Sequence, residues 1–157
     1  MSYQELETAL DKAKQCQYYN IKGETSDLII SKAEDLFGHK FSKQNYEFFK
    51  RVGYLSFFGN EFFGILKDDF SGKYTGCAIE STLKDRNEYN LPDKWLTVYF
   101  FDDGFYGYLD YGQLNSEGEP PVIMAYYDGK KFVIKEKVAN DLGGFLLERV
   151  DNQLRNQ

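Results

Sequence analysis

The chain reads as a single α+β domain spanning residues 1–157: an antiparallel meander of strands flanked by N-terminal helices and closed by a C-terminal helix. Three observations carry that reading. Helical periodicity fills the first third, Gly53 marks a switch to short extended runs separated by turn pairs, and the last segment returns to helical spacing. At 157 residues with 42% apolar and 18% aromatic side chains, the chain can bury one core without staples.

The first helix runs from Tyr3 to about Gln15, with Leu6, Ala9, Leu10 and Ala13 on one face as a lid on the core. Gly23 and Glu24 interrupt the pattern. Thr25-Ser26-Asp27 then offers N-caps for a second helix whose expected buried side is Leu28, Ile29, Ala33 and Leu36, ended by Gly38. Ser42 caps a third helix, Lys43 to Val52, with Tyr46, Phe49 and Val52 on a shared face and Gly53 placed for a left-handed C-cap. Beyond it, Tyr54–Phe58 and Glu61–Leu66 flank the turn pair Gly59-Asn60 as a short hairpin. Asp68 to Gly76 is a polar loop, Cys77 to Tyr89 a further short helix, and Pro92 closes that helix.

The centre of the chain is Trp95 to Tyr127. Trp95–Phe101 and Phe105–Asp110 surround Asp102-Asp103-Gly104, and Asp-Gly suits a type I′ turn because both of its central residues take positive φ. Leu96, Val98 and Phe100 alternate with Trp95, Thr97, Tyr99 and Phe101, so both faces are apolar and the strand is expected to be central. Gly112 to Pro121 is the longest loop. Val122–Tyr127 and Phe132–Ile134 follow around Asp128-Gly129, and Val138 to Leu154 is expected as the final helix, through Leu142, Phe145, Leu146 and Val150. Gly53 and Gly64 are the positions where backbone freedom or close approach is expected.

Charge is segregated. No Lys or Arg lies between Lys94 and Lys130, while Asp102, Asp103, Asp110, Glu117, Glu119 and Asp128 do; they equal the net charge of −6, because the other 19 acids balance 19 bases. An acidic, Tyr-rich edge of this kind disfavours nucleic acid and suits a basic protein. Calcium or paired-carboxylate chemistry at Asp68-Asp69 or Asp102-Asp103 lacks the spaced ligands it needs, so turn chemistry accounts for them better. His39, the sole histidine, sits between two helices, and neither a nucleophile elbow, a zinc-binding helix motif nor a Walker loop occurs. Gly104, Gly107 and Gly112 continue into a strand and a loop instead of opening a helix, unlike a nucleotide loop. Core packing accounts for Phe57, Phe58, Phe62, Phe63, Phe100 and Phe101. Cys16 and Cys77 fit no metal or redox spacing and read as reduced thiols. With neither a signal peptide nor a membrane span, a cytoplasmic protein is expected, without catalytic residues, metal or cofactor, as a monomer or weak homodimer.

Taken in order, the motifs resemble the SUKH superfamily, the Smi/Knr-like proteins that include many bacterial toxin-immunity proteins. The matching residues are Ile30-Ser-Lys-Ala-Glu-Asp-Leu-Phe-Gly38, Tyr46-Glu-Phe-Phe-Lys-Arg-Val-Gly53, Glu61-Phe-Phe-Gly-Ile65, the Thr82 to Arg86 helix, Trp95–Phe101, Asp102-Asp-Gly104, Tyr106–Asp110, Pro121-Val122 and Phe145-Leu-Leu147. The match spans Asp27 to Val150. Phe41-Ser42 stands where the family has Leu-Pro, and Phe48-Phe49 where it has Phe-Leu. The resemblance implies an α+β fold, no enzymatic activity, and neutralisation of a cognate toxin, often a nuclease, by direct binding. A regulatory scaffold of the same fold and a small hydrolase built on His39 are the alternatives. The expected contact set is Asp68, Asp69, Asp102, Asp103, Tyr106, Tyr108, Asp110 and Tyr111, with Tyr126 and Tyr127 beside it, facing the basic site of the toxin domain.

Overall fold

The computed structural model describes residues 2–72 and 76–157. Its elements are α1 (Ser2–Ala13), β1 (Asn20–Ile21), α2 (Asp27–Phe37), α3 (Lys43–Arg51), β2 (Leu55–Phe57), β3 (Asn60–Phe62), α4 (Ala78–Tyr89), β4 (Trp95–Asp102), β5 (Phe105–Asp110), β6 (Val122–Tyr127), β7 (Phe132–Ala139) and α5 (Leu142–Asn156). The strands pair in chain order, each antiparallel to the next, so the expected α+β meander is the fold. β4 stands in the middle of the seven. β1 is too short to show a sequence period, which is why it escapes sequence reading.

The caps form where small polar residues and glycines stand. Ser26 accepts a hydrogen bond from the Ile29 N–H and Ser42 from the Asn45 N–H, while Gly38 takes the left-handed cap of α2. Leu6, Ala9, Leu10 and Ala13 are buried, and α1 packs against α5. In α2 the buried stripe differs from the expected one. Ile30, Ala33 and Phe37 face inward, whereas Leu28 is 78% exposed and Leu36 is also exposed. Phe37 sets this rotation, since its ring packs on Phe41 and Tyr111 and the Arg86 guanidinium lies over it. At the other terminus, Val138 and Ala139 end β7 instead of opening α5; Asp141, missed in the sequence, caps α5 by accepting from Gly144 N–H at 2.8 Å.

The β2–β3 turn is Phe58-Gly59, one residue earlier than the expected Gly59-Asn60, with φ of 36° and 83°. Asn60 is instead buried in β3, donating to the Phe57 carbonyl and accepting from the Tyr99 hydroxyl. The expected Asp68–Gly76 loop is irregular over 68–72 and at Gly76; residues 73–75 lie outside the described residues. Along β4 the register slips between Thr97 and Tyr99, so strict alternation ends at Val98. Leu96, Val98, Tyr99 and Phe101 join the main core, Trp95 joins a smaller cluster with Leu91, Tyr108, Ile123 and Ala125, and Phe100 is left 38% exposed. Burying a side chain such as Phe62 or Phe145 contributes roughly 1.5–3 kcal/mol, so the two clusters dominate the stability of the domain.

Candidate partner-binding surface

An antiparallel meander puts alternate connections at opposite ends of the strands. The β2–β3, β4–β5 and β6–β7 turns share one end; the β5–β6 loop and the segment into β4 lie at the other. This divides the six acids. Asp102, Asp103 and Asp128 belong to the turn end, while Asp110, Glu117 and Glu119 belong to the opposite end. The single acidic edge expected from the sequence is therefore two separated groups.

Several expected contact residues serve the fold instead. Tyr108 is 1% exposed, packed on Trp95 and Phe132. Tyr111 is 4% exposed, and its hydroxyl accepts from Ser42 N–H at 3.0 Å and Asn45 Nδ2 at 2.8 Å, tying the β5–β6 loop to the start of α3. Asp110 is buried and accepts from Gly112 N–H at 2.9 Å. The polar tips of Tyr111 and Asp110 are hidden with local donors to satisfy them. None of the three can be an exposed anchor. Asp68 and Asp69 are exposed, but in the loop after β3. The Asp68 carbonyl accepts from Lys32 Nζ and Asp69 accepts from Ser71 N–H, which places them beside α2, away from the turn end.

What remains is the outer half of the β4–β5 hairpin. Asp103 and Gly104 take φ of 48° and 84°, the two-residue turn that Asp-Gly favours, and Asp102 pairs with Phe105. Among the described residues no ion pair engages Asp102 or Asp103. Because of the slip in β4, Phe100 stands opposite Tyr106 with ring centroids 5.1 Å apart, and Phe63 and Tyr108 flank the Tyr106 ring. The Tyr106 hydroxyl is held above its ordinary pKa by partial burial and then by the charges of Asp85 and Glu61. Asp85, on α4, is itself pushed up by burial. Glu61 accepts from the Tyr54 hydroxyl at 2.5 Å. Phe100, Asp85 and Glu61 were not singled out in the sequence as contacts, because the slip in β4 sets Phe100 opposite Tyr106 while Asp85 on α4 and Glu61 on β3 reach its hydroxyl through their charge. Asp128 shares the turn end but is engaged by the N–H groups of Lys130 and Lys131, at 2.8 Å each.

The remaining chemistry-bearing residues are His39 and the two cysteines. His39 Nδ1 lies 2.6 Å from the Lys40 carbonyl, with its ring 4.9 Å from Tyr111. Cys16 and Cys77 are free and buried, and burial pushes the Cys77 thiol up to about 11, so it stays protonated and unreactive at neutral pH. Among the described residues no group of three or more His, Cys, Asp or Glu could hold a metal ion, and no helix is long and apolar enough to cross a membrane.

The fold and this surface define a class of α+β meander with aromatic rings and carboxylates exposed at one end of the sheet. A SUKH family model described as SMI1-KNR4 cell-wall matches residues 27–146, and the chain belongs to the SUKH superfamily. That superfamily includes immunity proteins and is not a known enzyme family. No curated protein matches the chain.

Proposed function

We propose that the chain is an immunity protein that binds and neutralises a cognate toxin domain in the cytoplasm, through the outer half of the β4–β5 hairpin. The carrying observation is the adjacency of exposed Phe100 and half-buried Tyr106 to Asp102 and Asp103, two carboxylates with no ion-pair partner among the described residues. Aromatic rings held by a strand are good anchors, since little side-chain freedom is lost on contact. Unpaired acids beside them favour a basic partner and speed its approach. A nuclease is basic where it holds phosphate, so it fits that description.

The test is co-expression with the toxic C-terminal domain of a large protein encoded beside this gene. The proposal expects the chain to protect cells and to bind the purified domain. Phe100→Ala or Tyr106→Ala should then weaken binding by about 1–3 kcal/mol, mainly through faster dissociation. A neighbourhood without such a gene, or normal protection by both variants, contradicts the proposal.

A further inference from the structure

Two bulky residues at the turn end occupy backbone that glycine or asparagine usually fills. Tyr18 has φ of 60° and Phe58 φ of 36°. Left-handed backbone is costly for a residue with a large side chain. Burial does not offset that cost here, because Tyr18 is 77% exposed and Phe58 51%. The two rings instead stack on each other, centroids 5.6 Å apart and planes 29° apart. Phe58 takes the first central position of the β2–β3 turn, where Asn before Gly59 would give the same turn without strain. An exposed stack on strained backbone adds little to the fold, and conflicts of this kind concentrate at binding sites.

Topology sets this stack beside the hairpin already described. Tyr18 precedes β1, and Asn20 pairs with Ser56 of β2, so both rings stand at the turn end. β3 and β4 are neighbours through Phe62 and Tyr99, which makes the Phe58-Gly59 tip adjacent to Asp102-Asp103-Gly104. Within the domain, guanidinium groups already lie over aromatic rings: Arg86 over Phe37 at 4.9 Å and Arg149 over Tyr99 at 5.7 Å. We infer that the Tyr18–Phe58 stack is a second anchor of the partner-binding surface, receiving an arginine on the basic face of the partner protein while Asp102 and Asp103 neutralise the charge. A planar guanidinium can stack on a ring and still pair with a neighbouring carboxylate. This inference rests on the toxin-binding reading and extends the interface from one hairpin tip to two.

Phe58→Asn separates the two jobs of the residue. If the ring is kept for binding, the Asn-Gly turn relieves the strain and the urea midpoint rises above that of the unchanged protein. A lower midpoint makes the ring structural and overturns the inference, whether or not a toxin is in hand. In the second arm, the purified toxin domain encoded beside the gene is bound to the unchanged protein, to Phe58→Asn and to Tyr18→Asn, and dissociation rates are read. Each variant should release the domain at least about tenfold faster. Rates within about twofold of the unchanged protein overturn the inference and leave the toxin-binding reading standing. Failure of the unchanged protein to bind the domain overturns both.

Discussion

Gly64 has no room for a side chain, because a Cβ there would stand 1.6 Å from the Gly53 carbonyl oxygen. At this crossing the Ile65 N–H donates to Gly53 at 2.7 Å, and Gly64 bridges to Cys77. Gly53 is itself left-handed, with φ of 73°, and a Cβ on it would meet the Gly23 carbonyl oxygen at 2.6 Å. Gly64→Ala should therefore cost about 3 kcal/mol or more, seen as a lowered urea midpoint; an unchanged midpoint would contradict the crossing. Both glycines were legible in the sequence, one from its place after a helix and the other from its place in a strand. Glu119 was legible only as an acid. In the fold it is buried, one oxygen accepts from Gln44 N–H at 3.2 Å, and the other has no partner. Burial raises its pKa above 4.5, with Ser42 and Gln44 opposing and Asp141 and Glu117 assisting. The folded protein thus holds this proton more tightly than the unfolded chain does. Its contribution to stability is fully present below about pH 4.5 and is lost as pH rises through the folded value. Glu119→Gln should flatten that loss in urea titrations taken upward from about pH 4.5, and an identical pH profile would contradict it.

The elements of the domain were legible wherever a cap or a turn pair announced them. Ser26, Gly38, Ser42 and Asp103-Gly104 all do what their residue types suggest. The errors arose where tertiary packing chose between two local answers. In α2 the ring of Phe37 outweighed Leu28 and Leu36. In the β2–β3 hairpin an aromatic took a turn position that sequence rules give to Gly or Asn. In β4 the slip at Val98 reversed the alternation, which a periodic reading cannot foresee. That reversal has a measurable consequence. Strict alternation puts Phe100 on the face of Leu96 and Val98, whereas in the structure Phe101 packs on Tyr99 and Phe145. Phe101→Ala should cost about 2–3 kcal/mol in chemical denaturation, while Phe100→Ala should cost less than about 1. The opposite ranking would restore the alternation. Tyr111→Phe should likewise destabilise by about 1–3 kcal/mol, because it strips the acceptor from two donors at the start of α3.

For the molecule as a whole, composition showed that charge was segregated in sequence but not where it would stand in space. A meander sends successive connections to opposite ends, so a run of acids along the chain becomes two groups, and half of it enters polar networks. Only Asp102, Asp103 and Tyr106 of the expected contact set remain on the proposed surface. Fold class followed from patterns that repeat over tens of residues, whereas the surface depends on one register slip and on the placement of α4. The central claim is that the turn end steers and holds a basic partner. It is tested most directly by stopped-flow association of the purified toxin domain with the unchanged protein and with the Asp102→Lys, Asp103→Lys double variant, across a series of salt concentrations. The account predicts association that slows steeply with salt for the unchanged protein, and slower association with a flattened salt dependence for the variant. Equal rates and equal salt dependence for the two, with folding intact, would contradict it.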